Sequence, residues 1–333
     1  MRPILRHIDW TRNETLVALI ILAFCSVAAI GDPGFLSMAT LTDLLRGGIV
    51  MGILAVACLL VLISGGIDVS FTAVAAFTMY ATAMALNAIA PWVPWWGAFL
   101  VGMAIGAALG AINGILIAGF GLPTLIVTLG TLSVFRGFML TFIGQKQITT
   151  LPPGMREFGR MMMLRGTNAD GSFYSLHAAF LVTVLSVVVT WAILHRTMLG
   201  RMIFAIGGSV ESARRIGINV RGVQFAVYVY VGVLAGLAGI IHASMARVAN
   251  PFDLVGLELS VIAAVVLGGA RLAGGYGTLT GTLLGVALIV LVRNSLVVLG
   301  IPNTWQSVAV GILILIGTGL PAWQAKRTAA RAA

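Results

Sequence analysis

Long apolar runs alternate with short polar or glycine-rich interruptions along almost the whole chain. A helix needs about 20 mostly apolar residues to cross a bilayer. Runs bounded by charge, proline or glycine clusters predict roughly ten such spans, with the eighth too short to cross unless it borrows flanking residues. The predicted spans are Thr15–Ile30, Gly47–Ile63, Val69–Ile89, Trp96–Ala118, Thr124–Ile143, Ser175–Leu194, Val223–Ala243, Leu257–Leu267, Thr278–Val298 and Thr304–Leu320.

Composition supports an all-α integral membrane fold. Hydrophobic residues make up 59% of the chain and charged residues 9%, so folding in water would expose a large apolar surface. The 20 Lys and Arg residues outnumber the 10 Asp and Glu residues. These basic residues are scattered between apolar runs and form no basic face, which argues against nucleic-acid binding.

The basic residues also predict an orientation. An even number of spans places both termini on one side, and most basic clusters fall on that side, which the positive-inside rule makes cytoplasmic. Residues 195–222 then form a cytoplasmic loop and residues 144–174 an external one. We expect the first span to remain uncleaved, because the polar segment before it is long and contains acidic residues. The external loop is the exception to the charge rule, with Lys146, Arg156, Arg160 and Arg165.

Five spans in each half predict two halves of opposite orientation, as in inverted-repeat transporters. Residues 63–68 and 267–271 carry glycine pairs at similar points of the two halves, which is a faint repeat signal. No linker rich in Ser, Gly or Pro separates a soluble domain. We therefore expect one transmembrane domain over residues 1–333, with its core at 15–320. A short surface helix is expected around Pro153–Met163 in the external loop.

Charge and helix-ending residues gather between Gly200 and Val220. Ser209 can cap a helix and Gly217 can end it in the left-handed conformation. Glu211 lies four residues before Arg215, the favoured spacing for an ion pair on one helix face. So short a helix is marginal alone and should be docked on other elements. Two roles fit this loop: a solvated segment whose arginines set topology, or a docking helix for a cytoplasmic partner.

Glycines and a carboxylate interrupt the apolar sequence between Gly65 and Ser70. An ionisable group near the membrane core is costly and is a functional candidate. Asp68 or Ser70 can instead cap the third span, where the helix dipole favours negative charge. Both interpretations, a gate in a translocation pathway and a helix cap, are open from the sequence.

Further polar side chains lie within the fourth and fifth spans. Asn113 suits an interhelical hydrogen bond or a contact with a hydroxylated solute. Thr128 and Thr131 can bond to their own backbone or to a neighbouring helix. Arg136 keeps its charge, so it should face protein, water or the outer interface, either binding a carboxylate or lining a path.

No catalytic constellation or metal motif emerges, and the glycine cluster around Arg271 lacks the Gly-Lys-Ser or Gly-Lys-Thr ending of a phosphate-binding loop. We therefore expect a transport subunit, not an enzyme. An ion-coupled secondary carrier of a small polar solute is the alternative function. Such a carrier normally needs coupling residues in mid-membrane, and the spans contain few ionisable groups.

Four stretches together resemble bacterial monosaccharide ABC-importer permeases, the ribose, arabinose, rhamnose and autoinducer-2 group, within the broader branched-chain amino-acid permease superfamily. They are residues 64–70, 121–137, 200–220 and 263–278, and the resemblance extends from Leu41 to Gly317. The family usually has Asn at position 209, Ala-Ala-Arg at 212–214 and often Val at 71. Ser also caps a helix and a small residue is kept, so the first two departures are mild.

The resemblance implies a permease in the bacterial inner membrane that binds no cofactor itself, with ATP and Mg on a partner ATPase. Expected partners are ABC ATPase subunits, a second permease copy or a homologue, a periplasmic or extracellular solute-binding protein, and membrane lipid. It also implies that the loop helix contacts the ATPase through Ser209, Glu211, Ser212, Ala213, Arg214, Arg215 and Gly217. Asp68, Ser70, Asn113, Thr128, Thr131 and Arg136 are the candidates for a pathway or gate.

Overall fold

The computed structural model describes residues 13–31, 33–168, 171–298 and positions 305, 308, 311 and 312. Over these ranges the chain is mostly helical. The helices are α1 (Asn13–Gly31), α2 (Met38–Ile63), α3 (Phe71–Ile89), α4 (Trp95–Gly114), α5 (Thr124–Phe138), α6 (Pro153–Phe158), α7 (Ala179–Arg196), α8 (Met198–Gly208), α9 (Val210–Arg215), α10 (Val220–Ala246), α11 (Glu258–Leu267) and α12 (Leu279–Val298). A 3-10 turn (Pro33–Leu36) precedes α2, and π-helical turns extend α4 (Ile115–Gly119) and α5 (Met139–Ile143).

Six of the described helices, with their π-helical extensions, are long and apolar enough to cross a membrane. They are α2, α3, α4, α5, α7 and α10, while α1, α8, α11 and α12 supply shorter apolar segments. Each of the first nine predicted spans overlaps a helix, and α11 is short as expected, at 10 residues. The sixth was predicted to begin too early, because residues 175–177 are extended and α7 begins at Ala179. The tenth, Thr304–Leu320, lies outside the continuously described residues, so ten spans remains a prediction.

The second span was predicted too short. Helix α2 begins at Met38, not at Gly47, with Ser37 accepting a hydrogen bond from the Thr40 amide at its N-terminus. The sequence prediction stopped at Gly47 because Asp43 and Arg46 interrupt the apolar run. Both side chains are exposed and line a cavity, so the helix continues past them without burying a charge in the core.

Helix α2 forms the centre of the bundle. Every residue from Met51 to Ile63 is buried, on all faces of the helix. Its neighbours include α7, α10, α11 and α12, which surround it with apolar side chains. A helix that is hydrophobic all round belongs in the interior of a protein, and α2 occupies that position.

Helices α4 and α10 cross at very close range because glycines face each other. A Cβ atom placed on Gly106 would lie 2.1 Å from the carbonyl oxygen of Gly232. Gly110 faces the Tyr228 carbonyl in the same way, one turn further along. Small residues allow such close backbone approach between membrane helices, where van der Waals packing drives association. The approach fixes α10 against the first half of the chain.

The bundle has two distinguishable ends. The loop end carries residues 195–222, and the hairpin end carries strands β1 (Met162–Thr167) and β2 (Phe173–His177), which pair in an antiparallel hairpin. Helix α7 connects the two ends. At the loop end, Glu14 of α1 accepts hydrogen bonds from Thr278 and Thr280, which ties α1 to the start of α12.

The segment between α5 and α7 corrects two expectations. The helix predicted around Pro153–Met163 ends at Phe158, and a hairpin that the all-α prediction did not include follows it. The helix lies at the surface as expected, with Arg156 and Glu157 exposed, and its other face is buried, where Phe158 packs edge-on against Phe99 of α4. An isolated backbone pairing between Ile148 and Ala249 connects this segment to the α10–α11 linker.

Candidate functional site: a docking helix on a glycine junction

The loop helix predicted from Ser209 to Gly217 is present as α9. The Ser209 hydroxyl accepts a hydrogen bond from the Ser212 amide, 3.2 Å away, and so caps the first turn. Gly217 has a φ of +84° and its amide donates to the Arg214 carbonyl at the other end. Arg215 and Glu211 form the predicted ion pair, with N–O separation 2.5 Å. Both side chains are 76% exposed, so the pair contributes little to stability.

Helix α9 is docked on the bundle through one side chain. Ala213 is buried and belongs to the main hydrophobic core, and α9 contacts α8 and α10. The other candidate residues form an exposed face that includes two apolar positions, Val210 and the 74% exposed Ile216. The exposed members of the face are Ser209, Val210, Glu211, Ser212, Arg214, Arg215, Ile216 and Gly217.

Helix α8, which leads directly into α9, ends at the glycine junction, which we define as Gly65, Gly207, Gly274 and Gly275. The Gly275 amide donates to the Ile63 carbonyl across 2.9 Å, which joins the α11–α12 loop to the end of α2. A Cβ on Gly207 would lie 1.7 Å from the same carbonyl oxygen. Three segments far apart in sequence therefore touch through main-chain atoms, directly before α9.

The junction overturns the repeat pairing suggested by the sequence. The glycine pairs in residues 63–68 and 267–271 suggest equivalent positions in two inverted halves. An inverted repeat would place equivalent segments at opposite ends of the bundle, yet Gly65 packs against Gly274 at the loop end. The better counterparts are the two linkers that follow the long helices, residues 64–70 after α2 and 247–257 after α10.

A buried polar cluster lies beyond the junction along the α2–α3 linker. Asp68 is 2% exposed, and its Oδ1 atom accepts hydrogen bonds from the amide and the hydroxyl of Ser70, each 2.7 Å long. The Ser70 hydroxyl in turn accepts from Asn113 Nδ2 of α4 at 2.8 Å. Asp68, and not Ser70, therefore satisfies the free backbone amide at the start of α3.

Helix α5 holds the linker from its other side. The Thr124 hydroxyl accepts a hydrogen bond from the Ile67 amide, and the Thr128 hydroxyl donates to the Ile67 carbonyl. Thr131 bonds within its own helix, to the Thr128 carbonyl. Arg136 lies two turns further towards the hairpin end, with no ion pair to any described residue. The structure thus brings Asp68, Ser70, Asn113 and Thr128 together and leaves Arg136 apart.

Two members of this site were missed by the sequence analysis. Thr124 was treated only as the start of a span, although it holds the linker backbone. Tyr228 is buried, and its hydroxyl packs against Gly66, where a Cβ would come within 2.9 Å of it. No local signal marks Tyr228, because it reaches the linker from α10, more than 150 residues later in the chain.

The charges of the site divide between its two parts. The exposed face of α9 carries Arg214, Arg215 and Glu211, which suits a protein partner more than a small ligand. The linker cluster has a single carboxylate held by hydrogen bonds. Within residues 13–31, 33–168 and 171–298, no group of three His, Cys, Asp or Glu side chains could hold a metal ion.

Comparison with known proteins identifies the family. The model for the branched-chain amino acid transport system / permease component family matches residues 40–317. The chain belongs to this permease family. The permease is 36% identical to the ribose import permease protein RbsC of Bacillus subtilis (strain 168) over 313 residues, 93% of each chain. No solved structure matches the permease significantly.

Two further relatives agree with this assignment. The permease is 32% identical to the autoinducer 2 import system permease protein LsrC of Salmonella typhi, over 93% of its own length and 86% of the relative. It is 33% identical to RbsC of Escherichia coli (strain K12), over 91% of both chains. The six long apolar helices and the family together make it a multi-pass membrane protein.

Proposed function

We propose that this chain is the membrane-spanning permease subunit of an ATP-driven ABC importer for a monosaccharide or a related sugar-like solute. Relatives similar over more than 90% of the chain are named as permeases for ribose and autoinducer 2 import. The observation that carries the proposal is the placement of α9. It presents an exposed, charged face, and it directly follows α8, whose Gly207 belongs to the glycine junction that joins three segments of the bundle.

This placement suggests how ATP hydrolysis on another chain reaches the membrane. An ATPase subunit grips the exposed face of α9, and closure of two ATPases displaces the two α9 helices of a permease pair. Because Gly207 touches the end of α2 through main-chain atoms, α8 cannot shift without moving the α2–α3 linker. The linker holds Asp68, so the buried cluster changes shape and access alternates across the membrane.

The rest of the assembly follows from the same proposal. A second copy of this permease or a homologue completes the pathway, and a soluble solute-binding protein delivers the solute to the hairpin end. The chain crosses the bacterial inner membrane about ten times with both termini in the cytoplasm, in contact with membrane lipid. It binds no cofactor, because ATP and Mg belong to the ATPase.

The test is a double substitution on α9, Arg214→Glu with Arg215→Glu. Both side chains are exposed, so the variant should insert normally but fail to recover the ATPase in mild detergent and fail to transport. The matched control is Arg156→Glu with Arg160→Glu, the same charge change on exposed side chains at the hairpin end, which should still recover the ATPase. Normal uptake and stoichiometric ATPase recovery by the α9 variant would contradict the proposal.

The secondary-carrier alternative is tested in the same preparation. Purified permease without ATPase is placed in ATP-free liposomes, and solute uptake is followed under a proton or sodium gradient. We expect no uptake, because the energy comes from ATP on the partner. Gradient-driven uptake by the permease alone would establish the carrier instead.

A further inference from the structure

A large cavity opens between α2, α10, α11 and α12, and its lining shares no residue with the Asp68 cluster. Its volume is about 630 Å³, which lies within the range of roughly 300–1,000 Å³ typical of small-molecule sites. It begins at the hairpin end, beside Thr40 in the first turn of α2 and Ala246, the last residue of α10. From there it reaches Met51, near the middle of α2.

The walls are largely apolar, with a few convergent polar groups, the usual composition of a ligand site. The apolar part includes Val50, Met51, Leu254, Val261 and Val290. The polar part contains hydrogen-bond donors and acceptors from four different helices: Asp43, Arg46, His242, Ser260, Arg293 and Asn294.

Arg293 is the unusual member of this set. It lies in α12, and its Nη2 atom donates to the Ser260 hydroxyl at 2.8 Å, while Nε is buried and has no partner within the described part of the chain. A guanidinium offers five N–H donors, so one bond to a serine leaves most of them available. No described carboxylate lies within ion-pair distance of it. An arginine inside an apolar span without a counter-charge is a candidate for contacting a solute.

Asp43 and Arg46 face the cavity from α2, one turn apart. Both side chains are exposed, and neither forms an ion pair with another described residue. Within the described part of the chain, no ion-pair partner therefore occupies their carboxylate and guanidinium groups. The neighbouring linker is held under strain, because Leu254 is buried with a φ of +69°, a conformation that non-glycine residues rarely adopt. Such strain clusters at ligand clamps and switch regions.

We propose that this cavity is a binding site for an uncharged, polyhydroxylated solute on its way through the permease. The inference rests on the proposed function and adds the place where the solute contacts this chain. Sugar hydroxyl groups both donate and accept hydrogen bonds, which matches a wall that mixes a carboxylate, two guanidinium groups, a hydroxyl and an amide. Asp43 offsets one of the two guanidinium charges of the wall, and its carboxylate can accept hydrogen bonds from sugar hydroxyl groups.

The test uses the complete importer, the permease with its ATPase and binding protein, in proteoliposomes supplied with ATP and labelled D-ribose. Two variants alter the cavity, Asp43→Asn and Ser260→Ala. The matched control is Ser133→Ala, which removes an exposed hydroxyl of α5 that bonds only to its own helix. We expect about a tenfold loss of D-ribose uptake for Asp43→Asn, the size of one lost charged hydrogen bond. Binding-protein-stimulated ATP hydrolysis should stay within about twofold of wild type, since α9 is untouched.

The choice between two sugars shows whether Ser260 contacts the solute or only supports the fold. Ser260→Ala should change the ratio of D-ribose uptake to 2-deoxy-D-ribose uptake, while Ser133→Ala should leave the ratio unchanged. If both cavity variants take up D-ribose at the wild-type rate and keep the wild-type ratio of D-ribose to 2-deoxy-D-ribose uptake, the cavity is not a solute site. That result would leave the proposed function intact. A parallel loss of ATP hydrolysis would place these residues in coupling and also overturn the solute site. No ATP-driven sugar uptake by the wild-type importer would overturn the proposed function itself.

Discussion

The Thr72 hydroxyl donates a hydrogen bond to the Glu258 carboxylate across 2.9 Å, although 186 residues separate the two in sequence. The same carboxylate oxygen accepts from the Gly256 amide at 2.8 Å. Thr72 lies in the first turn of α3 and Glu258 begins α11, and each helix follows a non-helical linker. A carboxylate near two helix N-termini is electrostatically favourable. The two linkers are therefore tied to each other inside the bundle.

Breaking that tie should destabilise the permease. Thr72→Val keeps the volume but removes the donor, and we expect a loss of about 1–2 kcal/mol in the free energy of unfolding, within the range for bonds to charged groups and between membrane helices. Thr82→Val is the matched control on the same helix, because its hydroxyl is buried without a partner among the described residues. Unfolding in mixed detergent measures both, and equal stability of the two variants would contradict the prediction.

The glycine junction should tolerate no side chain at Gly207. In Gly207→Ala the new Cβ would meet the Ile63 carbonyl oxygen at 1.7 Å, so α8 has to move away from α2. Overpacking of this kind costs about 1–3 kcal/mol, and we expect ATP hydrolysis to become uncoupled from uptake. Gly208→Ala, whose Cβ meets no atom within 4 Å, is the control. Equal solute uptake per ATP hydrolysed in Gly207→Ala and Gly208→Ala would contradict this prediction.

The α9 cap gives a graded test of docking. Ser209→Ala removes the acceptor for the Ser212 amide and should cost about 0.5–2 kcal/mol of local helix stability. Ser209→Asn should restore the cap, because Asn is an equally good N-cap residue. We expect ATPase recovery in mild detergent to fall for Ser209→Ala and to return for Ser209→Asn. Equal recovery by both would mean that the α9 cap does not influence docking.

The features of α9 could be predicted from the sequence because the residues that produce them lie close together in the chain. Ser209, the Glu211–Arg215 pair and Gly217 all act within nine residues, and the structure confirms each of them. The six long apolar helices could be predicted for the same reason, because a long apolar run is itself the signal of a helix that can cross a membrane. The predicted start of α2 at Gly47 was wrong because the sequence does not reveal that Asp43 and Arg46 face a cavity.

The rest depends on contacts between distant segments. The sequence identifies Asp68, Ser70 and Asn113 as polar candidates, but it does not show that the Ser70 hydroxyl bonds to both of the others. The sequence does not reveal the hydrogen bond between Glu258 and Thr72, because an acidic residue at the start of a helix is already explained by the helix dipole. The glycine pairs suggested a repeat, whereas packing uses them for close approach at one end of the bundle.

A pH effect on stability is expected from the hairpin end. Burial lowers the pKa of His177, which is 2% exposed at the end of β2, and its Nδ1 atom accepts the Ala179 amide. As pH falls through about 6.5, the unfolded chain takes up a proton that the folded chain resists. The free energy of unfolding should therefore decrease below that pH.

Thermal melts of purified permease between pH 8 and pH 5 would measure this decrease. His177→Asn keeps an acceptor for the Ala179 amide but cannot gain the charge, so its melting temperature should fall less on acidification. His195→Asn is the control, since that imidazole is exposed at the loop end. If the melting temperature of His177→Asn falls on acidification as much as that of the wild type, His177 is not the group that causes the decrease.

The central position of α2 has a consequence for biogenesis. The helix is synthesised second, yet the neighbours that cover it, α7, α10, α11 and α12, leave the ribosome much later. Until then its leucine, valine and isoleucine side chains are solvated by lipid tails or by a membrane chaperone. Completion of the core is therefore delayed until α12 is inserted, and a chain truncated before Leu279 would leave part of α2 facing lipid.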